Sequence, residues 1–121
     1  MFDVPKPVLL VRMHYNQFGY RMYPIECALE NLLSGEDLIF YANTEYLTET
    51  PEDAEINYNR IKEVHGIPRN VNEGRGFLPM QITAFINEYV DDIQMEYTDR
   101  KPVIAVTSRQ DYNYLTVCVF L

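Results

Sequence analysis

The chain reads as an α+β domain, a mixed four-stranded sheet with about three helices packed mainly on one face, in the order β-α-β-α-α-β-β. Three observations point there: apolar runs of strand length near both ends of the chain, helical periodicity between them, and a hydrophobic content of 47% over 121 residues. A chain of this length hides about two-thirds of its extended surface, so a core forms without disulfide or metal staples. No linker, repeat or low-complexity tract divides it, so residues 1–121 are read as a single acidic domain.

Val8–Val11 is continuously apolar and Arg12–Tyr15 alternates, as expected of a strand buried on both faces that then emerges at its end. Pro24 opens an expected helix with the apolar stripe Ile25, Ala28, Leu29, Leu32 and Leu33, which Gly35 ends. Leu38–Ala42 reads as the second strand. Thr50-Pro51-Glu52-Asp53 sets a capping hydroxyl, a first-turn proline and two acids in order. Ala54, Tyr58, Ile61 and His65 then fall on one expected buried face, and Gly66 and Pro68 stop the helix. The longest helix begins near Pro79 and buries Ile82, Phe85, Ile86, Tyr89 and Ile93. Val103–Thr107 and Leu115–Leu121 close the chain as two strands joined by a polar hairpin loop. Nothing blunts the last of these, so as an edge it would pair with another copy, and a homo-oligomer is expected.

Ten basic and eighteen acidic residues give a net charge of −8. Glu45–Asp99 holds twelve of the acids and four of the bases, so the whole excess lies there. Binding to a nucleic-acid backbone is disfavoured, because such binding draws on lysine and arginine. No apolar run approaches the ~18 residues that cross a bilayer, and Met1–Lys6 lacks the features of an export signal. Cys27 and Cys118 are too few for a disulfide framework, so a cytoplasmic setting is expected.

Two acidic clusters differ in meaning. Glu45, Glu49, Glu52, Asp53 and Glu55 lead into a helix start, where carboxylates meet the positive end of the dipole. The second holds Glu88, Asp91, Asp92, Glu96 and Asp99 toward the C-terminus of the longest helix, and helical spacing sets Glu88, Asp92, Glu96 and Asp99 along one stripe opposite its buried face. Like charges one turn apart and the unfavourable dipole together cost on the order of 1–2 kcal/mol. Such a cost is consistent with a solvated face, or with a surface that docks a basic partner, itself a protein that handles nucleic acid. Glu88 and Asp92 are spaced to share a magnesium ion, but no calcium-type loop or histidine accompanies them, and no metal is expected.

His14–Tyr23 interleaves rings with amides and an arginine, a composition suited to protein contact, with Tyr15, Phe18, Tyr20 and Tyr23 as its anchors. Arg109–Tyr114 repeats the mixture. Gly66–Phe77 carries Arg69, Arg75 and a Gly-Arg-Gly triplet before a helix start. An alternative reading has Arg69, Arg75, Arg21, Arg109 and Tyr112 hold an anionic nucleotide-like ligand. Cys27 is expected in the first turns of a helix, where the dipole lowers a thiol pKa, although Glu26 and Glu30 oppose it. Neither His14 nor His65 has the spacing of a triad or zinc site, so neither catalysis nor a cofactor is expected. The expectation is a non-catalytic binding protein that occupies or blocks a macromolecular partner, of the type found among viral, phage-like inhibitors of host defence. The alternatives are a nucleotide-sequestering protein and a structural assembly subunit.

Overall fold

The structure, a computed structural model, describes residues 7–67, 77–96 and 103–118. In chain order its elements are β1 (Leu9–Phe18), β2 (Arg21–Asn31), β3 (Asp37–Tyr41), α1 (Pro51–Arg60), a π-helical turn (Ile61–His65), α2 (Pro79–Glu96), β4 (Ile104–Val106) and α3 (Arg109–Cys118). The sheet order is β3-β2-β1-β4, and β4 runs parallel to β1 with Leu9 opposite Ile104 and Val11 opposite Val106. The α+β class, the mixed four-stranded sheet and the three helices agree with the sequence reading. No described helix is long and apolar enough to cross a membrane.

Two segments differ from their expected type. Residues 24–33 are not a helix: β2 runs through Asn31, because Ile25, Cys27, Leu29 and Asn31 are all buried at a spacing of two. The same stretch carries both periods, and the strand follows from the turn before it. Gly19 and Tyr20 have φ of 58° and 66°, the mirror-image turn that matches strand twist and folds β2 back on β1. The expected terminal hairpin is also absent. Ser108 accepts a hydrogen bond from the Asp111 N–H at 3.1 Å, starting α3 where a loop was expected and carrying Leu115 into a helix rather than a strand. Residues 119–121 lie outside the described part. The edge-strand argument for a homo-oligomer therefore loses its strand.

The chain forms two units, one of Met1–Arg12, Ala28–Ile39 and Thr83–Leu121, the other of Met13–Cys27 and Phe40–Ile82. In the first, Val8, Leu9, Val11, Leu29, Ile86, Val90, Ile93 and Leu115 are the buried apolar residues. Asn31 organises its β2–β3 turn: the side-chain oxygen accepts from the Leu33 and Ser34 N–H groups at 3.0 and 3.1 Å. Tyr89 hydrogen-bonds Asn31. Burial first, and then the nearby Glu36, push the Tyr89 phenol above its ordinary pKa.

In the second unit Met13, Tyr15, Phe18, Ile25, Cys27, Ala42, Ile67 and Ile82 are buried. Helix α1 begins where the sequence places it. Thr50 accepts from the Asp53 N–H at 3.0 Å, and the Asp53 carboxylate accepts from the Thr50 N–H at 2.9 Å, a reciprocal cap. Its orientation is the reverse of the expected one. Asp53 and Asn57 are fully buried, whereas Ala54 is exposed and Tyr58 is 65% exposed. The cause is the bare edge of β1. Asn57 accepts from the Gln17 N–H at 2.6 Å and donates to the Gln17 carbonyl at 2.7 Å, and Arg60 donates to the Tyr15 carbonyl at 2.8 Å. Backbone groups that a neighbouring strand would satisfy are satisfied by helix side chains instead.

Tyr20 is 67% exposed and sits in the left-handed region, which disfavours a side chain by roughly 1 kcal/mol. Tyr20→Gly is therefore expected to raise stability by about 0.5–1 kcal/mol, read as a higher denaturant midpoint at unchanged slope. A lower midpoint would mean that the tyrosine ring contributes more to the fold than its backbone costs.

Candidate functional site

The acidic face of α2 exists as a helix through Glu96, because Ile82, Ile86, Val90 and Ile93 hold its other side inward. Glu88, Asp91, Asp92 and Glu96 are all exposed. Among the described residues no arginine or lysine forms an ion pair with them. Asp99 lies outside the described residues. Exposed Met95 lies on the same turn of the helix as Asp91, Asp92 and Glu96, placing one large apolar side chain beside three carboxylates.

The aromatic segment is a hairpin tip rather than a loop. Tyr15 and Phe18 are 2% and 3% exposed and belong to the core, which removes them from any partner surface. Tyr23 is half-buried, with its ring centroid 6.0 Å from that of Phe18. Tyr20 alone of the four is presented outward. Asp53 fixes the tip. Its carboxylate accepts from Gln17 Nε2 at 2.8 Å, from the Gly19 N–H at 2.7 Å and from the Tyr20 N–H at 3.3 Å, besides the Thr50 N–H. Burial alone would raise this carboxyl's pKa, but the donors converging on it hold it well below the usual range. The sequence assigned Asp53 to the helix start; that it also anchors the hairpin 34 residues away has no sequence signal.

A second cluster was not foreseen. His65 ends the π-helical turn, where the Gly66 N–H bonds to the Ile61 carbonyl and Gly66 takes φ 66°. The wider turn carries His65 to β1. Its Nδ1 accepts from the Ile67 N–H at 2.9 Å, which fixes Nε2 as the protonated nitrogen, donating to Asn16 Oδ1 at 2.9 Å. Burial, then His14 and Arg60, lower the His65 pKa, so the ring is neutral at neutral pH. The His14 ring lies 5.8 Å away, and its Nε2 is 3.9 Å from Glu26 Oε1. Glu26 in turn accepts a hydrogen bond from Tyr41; chiefly through its charge, and then through burial, the Tyr41 phenol is raised above its ordinary pKa. The 3.9 Å gap exceeds a hydrogen bond, and both His65 nitrogens are engaged, by Asn16 and by the Ile67 N–H.

Protein-family models, curated proteins and solved structures yield no match to the chain. The site stands on its own geometry.

For the alternative ligand reading, Arg69 and Arg75 lie outside the described residues. Arg21 and Arg109 are exposed, and the Arg109 guanidinium covers the Tyr112 ring at 5.2 Å. A cavity of about 160 Å³ in the first unit is lined by Leu10, Arg12, Ala28, Leu29, Glu30, Asp37 and Ile39. One arginine against two carboxylates does not suit an anionic ligand, and pockets for drug-sized molecules are about twofold or more larger. Cys27 is fully buried in a strand, so the helix dipole expected to activate its thiol is not there. Among the described residues no group of three or more His, Cys, Asp or Glu side chains is arranged to hold a metal ion.

Proposed function

We propose that the chain is a non-catalytic binding protein whose acidic α2 face occupies a basic surface on a macromolecular partner. The observation that carries this reading is the exposed row Glu88, Asp91, Asp92 and Glu96 on a formed helix, with no internal cation paired to it among the described residues. Repulsion along the row is a standing cost that a positively charged surface relieves. Exposed Met95 adds apolar contact inside the acidic patch. In the other unit, exposed Tyr20 is a contact candidate of its own, in the backbone conformation that the Asp53 carboxylate holds at the hairpin tip. A partner that handles nucleic acid would present the complementary charge, and inhibition would follow from occupying its phosphate-binding surface.

The test is capture of basic proteins by the immobilised chain at ~50 mM and ~500 mM salt, with wild type beside the triple variant Asp91→Lys, Asp92→Lys, Glu96→Lys. Wild-type capture should fall steeply with salt, as exposed charge pairs do once the Debye length shortens to a few ångströms. The triple variant should keep its thermal midpoint within a few degrees and lose capture altogether. Equal capture by both proteins would refute the acidic face as the contact.

A further inference from the structure

Helix α1 packs by its polar side and leaves apolar residues outward, Ile56 on one flank and a seam of four on the other. Asp53, Asn57 and Arg60 serve β1 and the hairpin, while Pro51 and Ala54 are exposed, Tyr58 is 65% exposed and Ile61 is half-buried. At about 100° per residue these four fall within a single narrow seam, at the alternating spacing of three and four that marks helix pairing. None of this is needed to hold the helix, which the cap and the edge hydrogen bonds already secure.

The flank of the seam says what covers it. Glu55 follows Ala54 and Lys62 follows Ile61, so the two charges sit at equivalent places one heptad apart, both exposed, on the side away from Asn57. In an antiparallel helix pair, residues at this flanking position face their own kind from the other helix. A second copy of α1 laid antiparallel across Tyr58 therefore sets Glu55 of each copy against Lys62 of the other, twice, by symmetry. A parallel arrangement would instead set Glu55 against Thr50 and Lys62 against Asn57 of the other copy, pairing neither charge. Neither charge has an ion-pair partner among the described residues.

We infer that the exposed seam Pro51, Ala54, Tyr58 and Ile61 is the interface of a two-fold symmetric dimer of this chain, with the α1 helices antiparallel and Glu55 paired to Lys62 across it. The dimer leaves the α2 acids of each copy to be tested separately, so loss of one reading does not remove the other. A single helix pair buries on the order of 1,000 Å² or less, the size class of weak, reversible association.

Sedimentation equilibrium of the full chain at near-physiological salt, from about 1 to 300 µM, tests it. Wild type should show a reversible monomer–dimer equilibrium. Tyr58→Glu should weaken it tenfold or more with an unchanged circular dichroism spectrum, since that side chain points to solvent. Glu55→Lys and Lys62→Glu should each weaken self-association. An equimolar mixture of those two variants should dimerise again, because every flanking pair is then opposite in sign, and the double variant should recover self-association. A wild type that stays monomeric across the range, a dimer indifferent to Tyr58→Glu, or a mixture that associates no better than its components would each overturn the interface.

Discussion

Asn57→Ala is expected to destabilise the chain by about 3 kcal/mol, which for a domain of this length lowers the thermal midpoint by roughly 10 °C. Asn57 is 1% exposed and meets both backbone groups of Gln17, accepting at 2.6 Å and donating at 2.7 Å, with a further bond donated to Glu49 at 2.7 Å. Truncation leaves an N–H and a carbonyl of β1 without partners, each costing ~1–3 kcal/mol. Alanine keeps the β-carbon and removes only the amide group, so the penalty is polar in origin. Asn57→Asp separates the two causes. It keeps the volume but replaces the donor to Gln17 and Glu49 by a second acceptor, and it should cost at least as much as alanine at neutral pH. Chemical denaturation of the three proteins checks this, and a loss below ~1 kcal/mol for alanine would mean that water replaces the side chain at the strand edge.

The same residue marks where the sequence stops being informative. The start of α1 was legible because a cap is local: Thr50, Pro51 and Asp53 lie within four positions and satisfy one another. Which face of α1 turns inward was not legible, since it depends on unpaired backbone of β1 about 40 residues earlier. Periodicity alone favours burying Ala54, Tyr58 and Ile61, and the need for hydrogen-bond partners overrode it. The same competition explains β2. Its residues match a helical stripe and a strand alternation equally, and the deciding Gly19–Tyr20 turn lacks the Asn-Gly signature. The start of α3 did carry a local signal in Ser108, an N-cap residue three positions before Asp111, which the strand expected over residues 115–121 left unused. Of the candidate site, the acidic row on α2 was legible from spacing. The His14–His65 approach was not, because a π-helical turn moves His65 off the face that a regular helix would give it.

Acid should lower the stability of the chain over two separable pH ranges. Asp53 has a folded pKa below its unfolded value of about 3.9, so the folded state binds fewer protons between the two; the stability this contributes is complete above pH ~4 and disappears as pH falls through the folded value. His65 also has a depressed pKa, by burial and by the neighbouring His14 and Arg60. For a histidine the consequence has the same sign. The unfolded ring protonates near pH 6.5 while the folded ring resists, so stability begins to fall below about pH 6.5. The −8 net charge acts oppositely, since protonating exposed carboxylates relieves repulsion as the pH approaches the sequence pI of about 4.6. Differences between variants remove that common background. Denaturant midpoints from pH 8 to pH 3 should show His65→Gln losing the wild-type decline around pH 6, with the lower step intact. Asp53→Asn should be less stable than wild type at pH 7, and the gap should narrow as the pH drops below 4, because the unfolded wild-type carboxyl then takes up a proton that the folded one refuses. Parallel curves, with a constant gap at every pH, would mean that the carboxylate's charge is not what binds the hairpin tip to the helix.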